Sequence, residues 1–190
     1  MPERPLELIL ESIVRALQHE DIAHFFGGNL GVCVWGLAGP TYELELTAAA
    51  DGDRLQALLV RLEEEGFIVP PLTASGWIDS GEGVPGVRVA REEGGRLWDV
   101  AMYLATEPHL RSAMERRRRA TMNGTELWMV SPEDLILNRL RVGTNKALLQ
   151  AVEILAVTGP IDKEYLKTWA KELDVEFQLS EVLCRSQSFE

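Results

Sequence analysis

Apolar residues recur at helical spacing near the start of the chain. Leu6, Ile9, Leu10, Ile13, Ala16 and Leu17 share one face while Glu7, Glu11, Arg15 and Gln18 lie elsewhere, which predicts an amphipathic helix over residues 5 to 18. The same period returns at Leu55, Leu58, Leu59 and Leu62, with Asp51 placed to cap the start and Gly66 to punctuate the end. Between these helices the pattern changes. Ile22 to Phe26 is a short apolar run containing His24; Gly27-Gly28 follows it, and Asn29 is placed to cap a helix through Trp35. Then Tyr42-Glu43-Leu44-Glu45-Leu46 alternates with period two, so Tyr42, Leu44 and Leu46 face one side of a sheet and Glu43 and Glu45 the other.

Further along, residues 70 to 86 are rich in proline and glycine, which excludes a regular helix and predicts a flap or long hairpin tip reaching over a site. Val87 and Val89 form a short strand, Glu92-Glu93-Gly94-Gly95 a turn, and Leu97 to Tyr103 the returning strand. In that strand Asp99 shares a face with Leu97, Ala101 and Tyr103, and a carboxylate in so apolar a segment needs a partner. Residues 109 to 119 predict a charged helix with Arg116, Arg117, Arg118 and Arg119 wrapped around its end, either as a phosphate- or RNA-binding patch or as a solvated terminus. Ser131-Pro132-Glu133-Asp134 reads as a helix start, its acids explained by capping. Asp162 caps a last amphipathic helix containing Tyr165 and Trp169, the latter a core residue. The alternation predicts an α/β (α+β) fold, with an α/β core over residues 1 to 106 and a helical region over 107 to 190 packed on it.

Composition narrows the classes. With 190 residues and 46% hydrophobic content the chain can bury a sizeable core, as one domain or a compact pair. It has no run of 18 apolar residues and no signal-peptide pattern, so a cytoplasmic protein without membrane contact is expected. A net charge of -11 opposes binding to extended duplex DNA, although a local patch can still hold a nucleotide or an RNA end. Cys33 and Cys184 lack metal or redox spacing, and His19, His24 and His109 have no ligand spacing either.

Candidate chemistry concentrates in residues 27 to 46. Glu43 and Glu45 are about 7 Å apart along their strand, near enough to converge on a cation, although a solvated edge-strand face has the same pattern. Glycines at 27 and 28 let backbone N–H groups approach a phosphate, and a following helix adds free donors and a favourable dipole. A phosphate seat beside a cation seat describes a nucleotide site.

Gly27-Gly28 followed by Gly36-Leu37-Ala38-Gly39-Pro40-Thr41-Tyr42-Glu43-Leu44-Glu45-Leu46 resembles the minimal nucleotidyltransferase signature, a glycine turn, a short helix and a strand ending in Asp-x-Asp. The nearest resemblance is to the AbiEii-type nucleotidyltransferase toxins, which read G-x-x-R-x-T-x-D-x-D here. Thr41 is kept, both aspartates are glutamate, and glycine 39 stands at the arginine position. Trp98-Asp99-Val100 is similar to the strand bearing that family's third carboxylate. Val130 to Leu137 resembles the stretch before its closing helices, and Arg139, Arg141 and Asn145-Lys146-Ala147 fall where it carries basic and acidic residues. The resemblance spans roughly residues 6 to 175. It implies a mixed sheet flanked by helices and transfer of a nucleoside monophosphate from an NTP to a hydroxyl of RNA, protein or a small molecule. Glu43, Glu45 and Asp99 would hold Mg²⁺ or Mn²⁺; Gly27, Gly28, Thr41 and Lys146 would bind the nucleotide, Lys146 having the alternative of a solvated helix lysine; a cognate antitoxin is the implied partner. Each glutamate carries its carboxylate about 1.3 to 1.5 Å further out than aspartate, against a tolerance of about 0.5 Å for working sites. The alternative is therefore a degenerate relative serving as a nucleotide-binding or protein-interaction module in a toxin–antitoxin or phage-defence setting.

Overall fold

The computed structural model describes residues 4–36, 43–70, 78–79, 84–122 and 124–186. Helix α1 (Pro5–His19) opens with proline at its first position, where the missing N–H costs nothing, and buries Ile9, Leu10, Ile13, Ala16 and Leu17. Strand β1 (His24–Phe26) leads through Gly27 into α2 (Gly28–Trp35), then β2 (Glu43–Ala48) and α3 (Gly52–Glu64), whose first turn is capped by the Asp51 carboxylate accepting from the Arg54 N–H at 3.0 Å. Asn29 is not the cap of α2. Gly27 occupies that position and Asn29 lies inside the helix, its Oδ1 accepting from Gln150 at 3.4 Å.

Strands β3 (Ile78–Asp79), β4 (Pro85–Glu93) and β5 (Arg96–Leu104) follow. The turn between β4 and β5 is tighter than the pattern implies. Glu92 and Glu93 remain in β4, and Gly94-Gly95, with φ of 59° and 73°, closes the hairpin alone, a backbone that glycine adopts without penalty. Most of the expected flap over residues 70 to 86 lies outside the described residues, although Ile78–Asp79 pairs with Pro85 and Gly86.

Helix α4 (Pro108–Arg116) ends earlier than expected. Arg117 is extended (φ −54°, ψ 146°), and Arg118 and Arg119 belong to β6 (Arg118–Met122), which pairs with β7 (Thr125–Met129). Strand pairing that buries Leu127 and Met129 overrides the helical propensity of the arginine run. The sheet therefore continues past residue 106, and the all-helical part begins with α5 (Pro132–Val142), followed by α6 (Asn145–Val157), α7 (Lys163–Glu172) and α8 (Glu176–Ser186). The helix capped by Asp162 is α7 and is not the last, because Leu179 and Val182 anchor one more.

The described strands form one mixed sheet in the order β3-β4-β5-β2-β1-β7-β6. One face packs on α1 and α3 through Leu44, Leu46, Val87, Val89, Val100 and Met102. Phe25 and Val130 join a second core formed with α4 to α8. His24 is buried, its Nδ1 lies 3.0 Å from the Ile22 carbonyl, and burial lowers its pKa, so the ring is a neutral core residue.

The start of α5 does more than cap. Ser131 Oγ accepts from the Asp134 N–H at 3.1 Å, as Ser-Pro-Glu-Asp predicts, but Glu133 and Asp134 are themselves buried, at 1% and 0% exposure. Asp134 Oδ1 accepts from the Tyr165 hydroxyl at 2.6 Å and lies 3.1 Å from His109 Nε2. Burial, then the bond to Asp134, pushes the Tyr165 hydroxyl pKa upward. Glu133 meets Arg116 at 3.5 Å and Arg118 at 3.4 Å and accepts from the Asp162 N–H at 3.1 Å. Two of the four consecutive arginines thus fasten α4 and β6 to α5 and α7, while Arg117 and Arg119 lie 4.7 and 4.8 Å from the Trp128 ring centre. Trp169 is half-buried, 5.2 Å from the His109 ring. Removing one member of such a network strands its buried partners, so Asp134→Ala should lower unfolding free energy by about 3 kcal/mol or more in urea titration. Arg119→Ala, at an exposed pair, should change it by less than about 1 kcal/mol.

Candidate functional site

Strand register builds the site. Strand β2 runs parallel to β5 with Glu43 opposite Asp99 and Glu45 opposite Ala101. Adjacent strands lie about 4.8 Å apart, so the Glu43 and Asp99 backbones are immediate neighbours, and Glu45 sits two residues along on the same face. The three acids singled out by the sequence are therefore brought to one patch of sheet. Antiparallel pairing of β4 with β5 adds Arg88, opposite Ala101, to the same row.

Arg88 carries a cation into this patch. Its Nη1 donates to Glu43 Oε1 at 2.7 Å, both side chains being somewhat under half exposed, at 44% and 46%. That bond raises the guanidinium pKa, with smaller contributions from the Tyr103 and Asp99 side chains nearby. Glu45 is engaged elsewhere. A Cβ placed on Gly28 would lie 2.3 Å from the Glu45 Cδ and Oε1, so the carboxylate rests directly on the first residue of α2. Arg139, only 8% exposed, brings Nη2 to 3.8 Å from Glu45 Oε2.

The Gly27-Gly28 turn is held to the strand it serves, the Gly27 N–H donating to the Glu45 carbonyl at 2.9 Å. Trp35 Nε1 donates to the Val130 carbonyl at 2.7 Å and pins the far end of α2. A cavity of about 310 Å³ opens between this turn, β2 and α5, lined by Gly27, Gly28, Glu43, Glu45, Arg139 and Arg141 among others. Arg141 Nη1 also donates to Glu107 at 3.0 Å. Lys146 stands on the exposed first turn of α6, outside the cavity lining, and Thr41 lies outside the described residues.

Among the described residues no three His, Cys, Asp or Glu side chains stand in an arrangement that would hold a metal ion. The donor set nevertheless suits Mg²⁺, which takes carboxylate oxygens. What separates the acids is side-chain direction, not backbone placement. Glu43 is turned to Arg88 and Glu45 to Arg139 and Gly28, and an exposed ion pair such as Arg88–Glu43 is worth about 0 to 1 kcal/mol, little enough for a divalent cation to exchange it.

Sequence reasoning missed Arg88. The signal was present, since Val87-Arg88-Val89 alternates and the Gly94-Gly95 turn fixes its register on β5. Arg139 was singled out only as a basic residue where the resembled family carries one; its approach to Glu45 depends on how α5 packs.

No family model and no curated protein matches the sequence. Solved structures do match its shape. An antigenic nucleotidyltransferase-like protein from Paracoccidioides brasiliensis aligns with a TM-score of 0.61 at 16% identity, covering 96% of this chain and 89% of that one. The lincosamide antibiotic adenylyltransferase LnuA, lincomycin-bound, aligns with a TM-score of 0.53 at 13% identity over 78% of this chain and 96% of its own. ANT(2")-Ia in complex with adenylyl-2"-tobramycin gives 0.52 at 15% identity over 95% and 98%. The chain has a nucleotidyltransferase-like fold. No helix among the described residues is long and apolar enough to cross a membrane.

The contact between Gly28 and Glu45 is open to a direct test. Gly28→Ala places a methyl group against the carboxylate at a left-handed φ of +55°, which alone costs about 1 to 2 kcal/mol. Thermal melts should show a clear loss for Gly28→Ala and a smaller increment for the same change in a Glu45→Ala background; equal losses in both backgrounds would mean the carboxylate does not rest there.

Proposed function

We propose that this chain is a nucleotidyltransferase, moving a nucleoside monophosphate from an NTP to a hydroxyl acceptor. The observation that carries the reading is the register of β2 on β5, which puts Glu43 beside Asp99 and Glu45 on the same face, Glu43 and Glu45 lining one cavity with Gly27 and Gly28 while Asp99 lies next to Glu43 outside that lining. Glu43, Asp99 and Glu45 would hold Mg²⁺ or Mn²⁺, which when bound supplies neutralisation of the charge that develops during in-line transfer. Gly27 and Gly28 leave the backbone open to a phosphate, and Thr41 and Lys146 remain candidates for contacts to the nucleotide. Arg88 holds the Glu43 carboxylate in place until the loaded nucleotide arrives.

A small hydroxylated molecule is the favoured acceptor. Two proteins of similar shape carry lincomycin and adenylyl-tobramycin, and a chain of net charge -11 repels polyanionic RNA more than a neutral or cationic small molecule. A protein hydroxyl and an RNA end remain the other acceptor classes, and an AbiEii-like toxin with a cognate antitoxin is the setting in which they would arise.

One observation favours a second reading. Arg88 already bonds Glu43, and Arg139 stands 3.8 Å from Glu45, so both carboxylates face a guanidinium rather than a metal, as in a nucleotide-binding or interaction module that has lost turnover. Calorimetry separates the two. Wild type titrated with each NTP should bind in the presence of Mg²⁺ or Mn²⁺, and Glu43→Ala/Asp99→Ala should lose that binding by about a hundredfold or more. Binding that is indifferent to metal and to these substitutions would establish a nucleotide-binding module; no NTP binding under either metal would overturn the transferase and the nucleotide-binding module and leave the protein-interaction module.

A further inference from the structure

A second cavity, of about 480 Å³, shares no lining residue with the first. It opens between the second half of α1, the segment from Asp21 to His24, and the hairpin of β6 and β7, with Leu17, Ile22 and Leu127 as a buried apolar wall. Its cationic wall is the part of the arginine run that the frame does not use. Arg116 and Arg118 are held by Glu133, whereas Arg117 and Arg119 flank the half-buried Trp128, their guanidinium carbons 4.7 and 4.8 Å from its ring centre. Arg117 Nη1 donates to the Met114 carbonyl, and Arg119 meets Glu126 at 3.7 Å, too long for a hydrogen bond, with both side chains exposed. Among the described residues neither guanidinium is hydrogen-bonded to a carboxylate.

Independently, His24 brings an acceptor to the same lining. The imidazole is 4% exposed, and its Nδ1 lies 3.0 Å from the Ile22 carbonyl, which only accepts, so Nδ1 carries the proton. Burial, with the charge of Arg117 as a smaller cause, lowers the pKa and favours the neutral ring. Nε2 is therefore a bare lone pair, and no group among the described residues donates to it. Of the two acids in the lining, Asp21 is fully exposed with Arg54 at 3.8 Å, and Glu126 is the loose partner of Arg119. Water fills donor and acceptor roles but brings no charge to set against two guanidiniums. The lining calls for a ligand with a negative group for the arginines, a donor for His24 and an apolar body for Leu17, Ile22 and Leu127. Its volume falls within the range of about 300 to 1,000 Å³ usual for small-molecule sites.

We propose that this cavity is a second ligand site, taking a small, flat organic anion that carries a hydrogen-bond donor on its ring. The anionic group, a phosphate or a carboxylate, lies on Arg117 and Arg119, where charge-assisted bonds are available. The ring donor bonds His24 Nε2. Flatness follows from the walls, since guanidinium planes and the Trp128 indole stack on planar groups. An extended polyanion fits less well, because a chain of net charge -11 repels it beyond this patch. The site abuts β1, where Phe25, next to His24, lines the first cavity, so the two cavities share one three-residue strand. The inference does not depend on what the first cavity binds.

The test uses AMP and para-hydroxybenzoate as probes, a phosphate and a carboxylate of this description, each in EDTA. By calorimetry, wild type should bind at least one of them, and the one bound identifies the anionic group. Arg117→Ala/Arg119→Ala should weaken that binding about tenfold or more, the scale of a lost charge-assisted hydrogen bond. Arg119→Ala alone, at an exposed pair, should weaken it in the same direction and serves if the double variant does not fold. Inorganic phosphate, which has no apolar body, should bind about tenfold more weakly than the better probe. Long-range proton–nitrogen NMR of the imidazole rings reads the site directly. The His24 Nε2 signal, assigned by its loss in His24→Phe, should be that of an unprotonated nitrogen and should move upfield on binding, while the His109 signals stay in place. Binding of neither probe, binding indifferent to both arginine variants, inorganic phosphate binding as tightly as the probes, or binding that leaves His24 Nε2 unmoved would each overturn the proposal. None of the substituted residues lines the first cavity, so these outcomes leave the transferase reading to its own experiment.

Discussion

Six consecutive residue pairs join β2 to β5 in parallel, from Glu43 opposite Asp99 to Ala48 opposite Leu104, and the placement of the three acids follows from that ladder. Because side chains alternate across a strand, a slip of one residue would send Glu43, Glu45 and Thr47 into the apolar core and expose Leu44, Leu46 and Ala48. The burial of those three residues between the sheet, α1 and α3 fixes the register strongly. Hydrophobic packing on one face of the sheet thus specifies an acidic patch on the other. The hairpin of β4 and β5 extends the same logic and delivers Arg88 to the patch.

Charge is distributed unevenly over the two sides of this arrangement. Arg116 and Arg118 are consumed by Glu133 and, with Asp134 and Tyr165, make a buried network that joins α4, α5, α7 and the sheet edge. Arg88 and Arg139 instead meet carboxylates at the cavity, one pair half exposed and the other too long to be a hydrogen bond. The first network is costly to break and so fixes the frame. The second is weakly held and so leaves the site able to rearrange around a ligand without disturbing the frame.

Much of this was legible in the amino-acid sequence. Period alone located α1, α3 and the strand bearing Glu43 and Glu45, and capping chemistry located α3, α5 and α7, because these signals are local. The face carried by Asp99 was also legible, and its place beside Glu43 followed only from a family resemblance. Other features were hidden for identifiable reasons. The arginine run from 116 to 119 has good helix formers, and only pairing with β7 makes a strand of its second half. Glu133 and Asp134 look like surface capping residues until the folded neighbours that bury them are known. The roles of Arg139 and of the Glu45 carboxylate depend on the packing of α5 against α2, which no spacing rule encodes. Glutamate in place of aspartate was visible as a departure, whereas its consequence, a carboxylate long enough to lie on Gly28, required the structure.

The most direct measurement is a crystal structure with Mn²⁺ and a non-hydrolysable NTP, using anomalous scattering to locate the ion. A manganese peak between Glu43 and Asp99, with Arg88 swung off Glu43 and a phosphate at Gly28, is the expected result. Nucleotide bound with the Arg88–Glu43 pair intact and no ion at that face, or nucleotide bound outside the cavity, would contradict assignment of this acidic patch as the site of transfer.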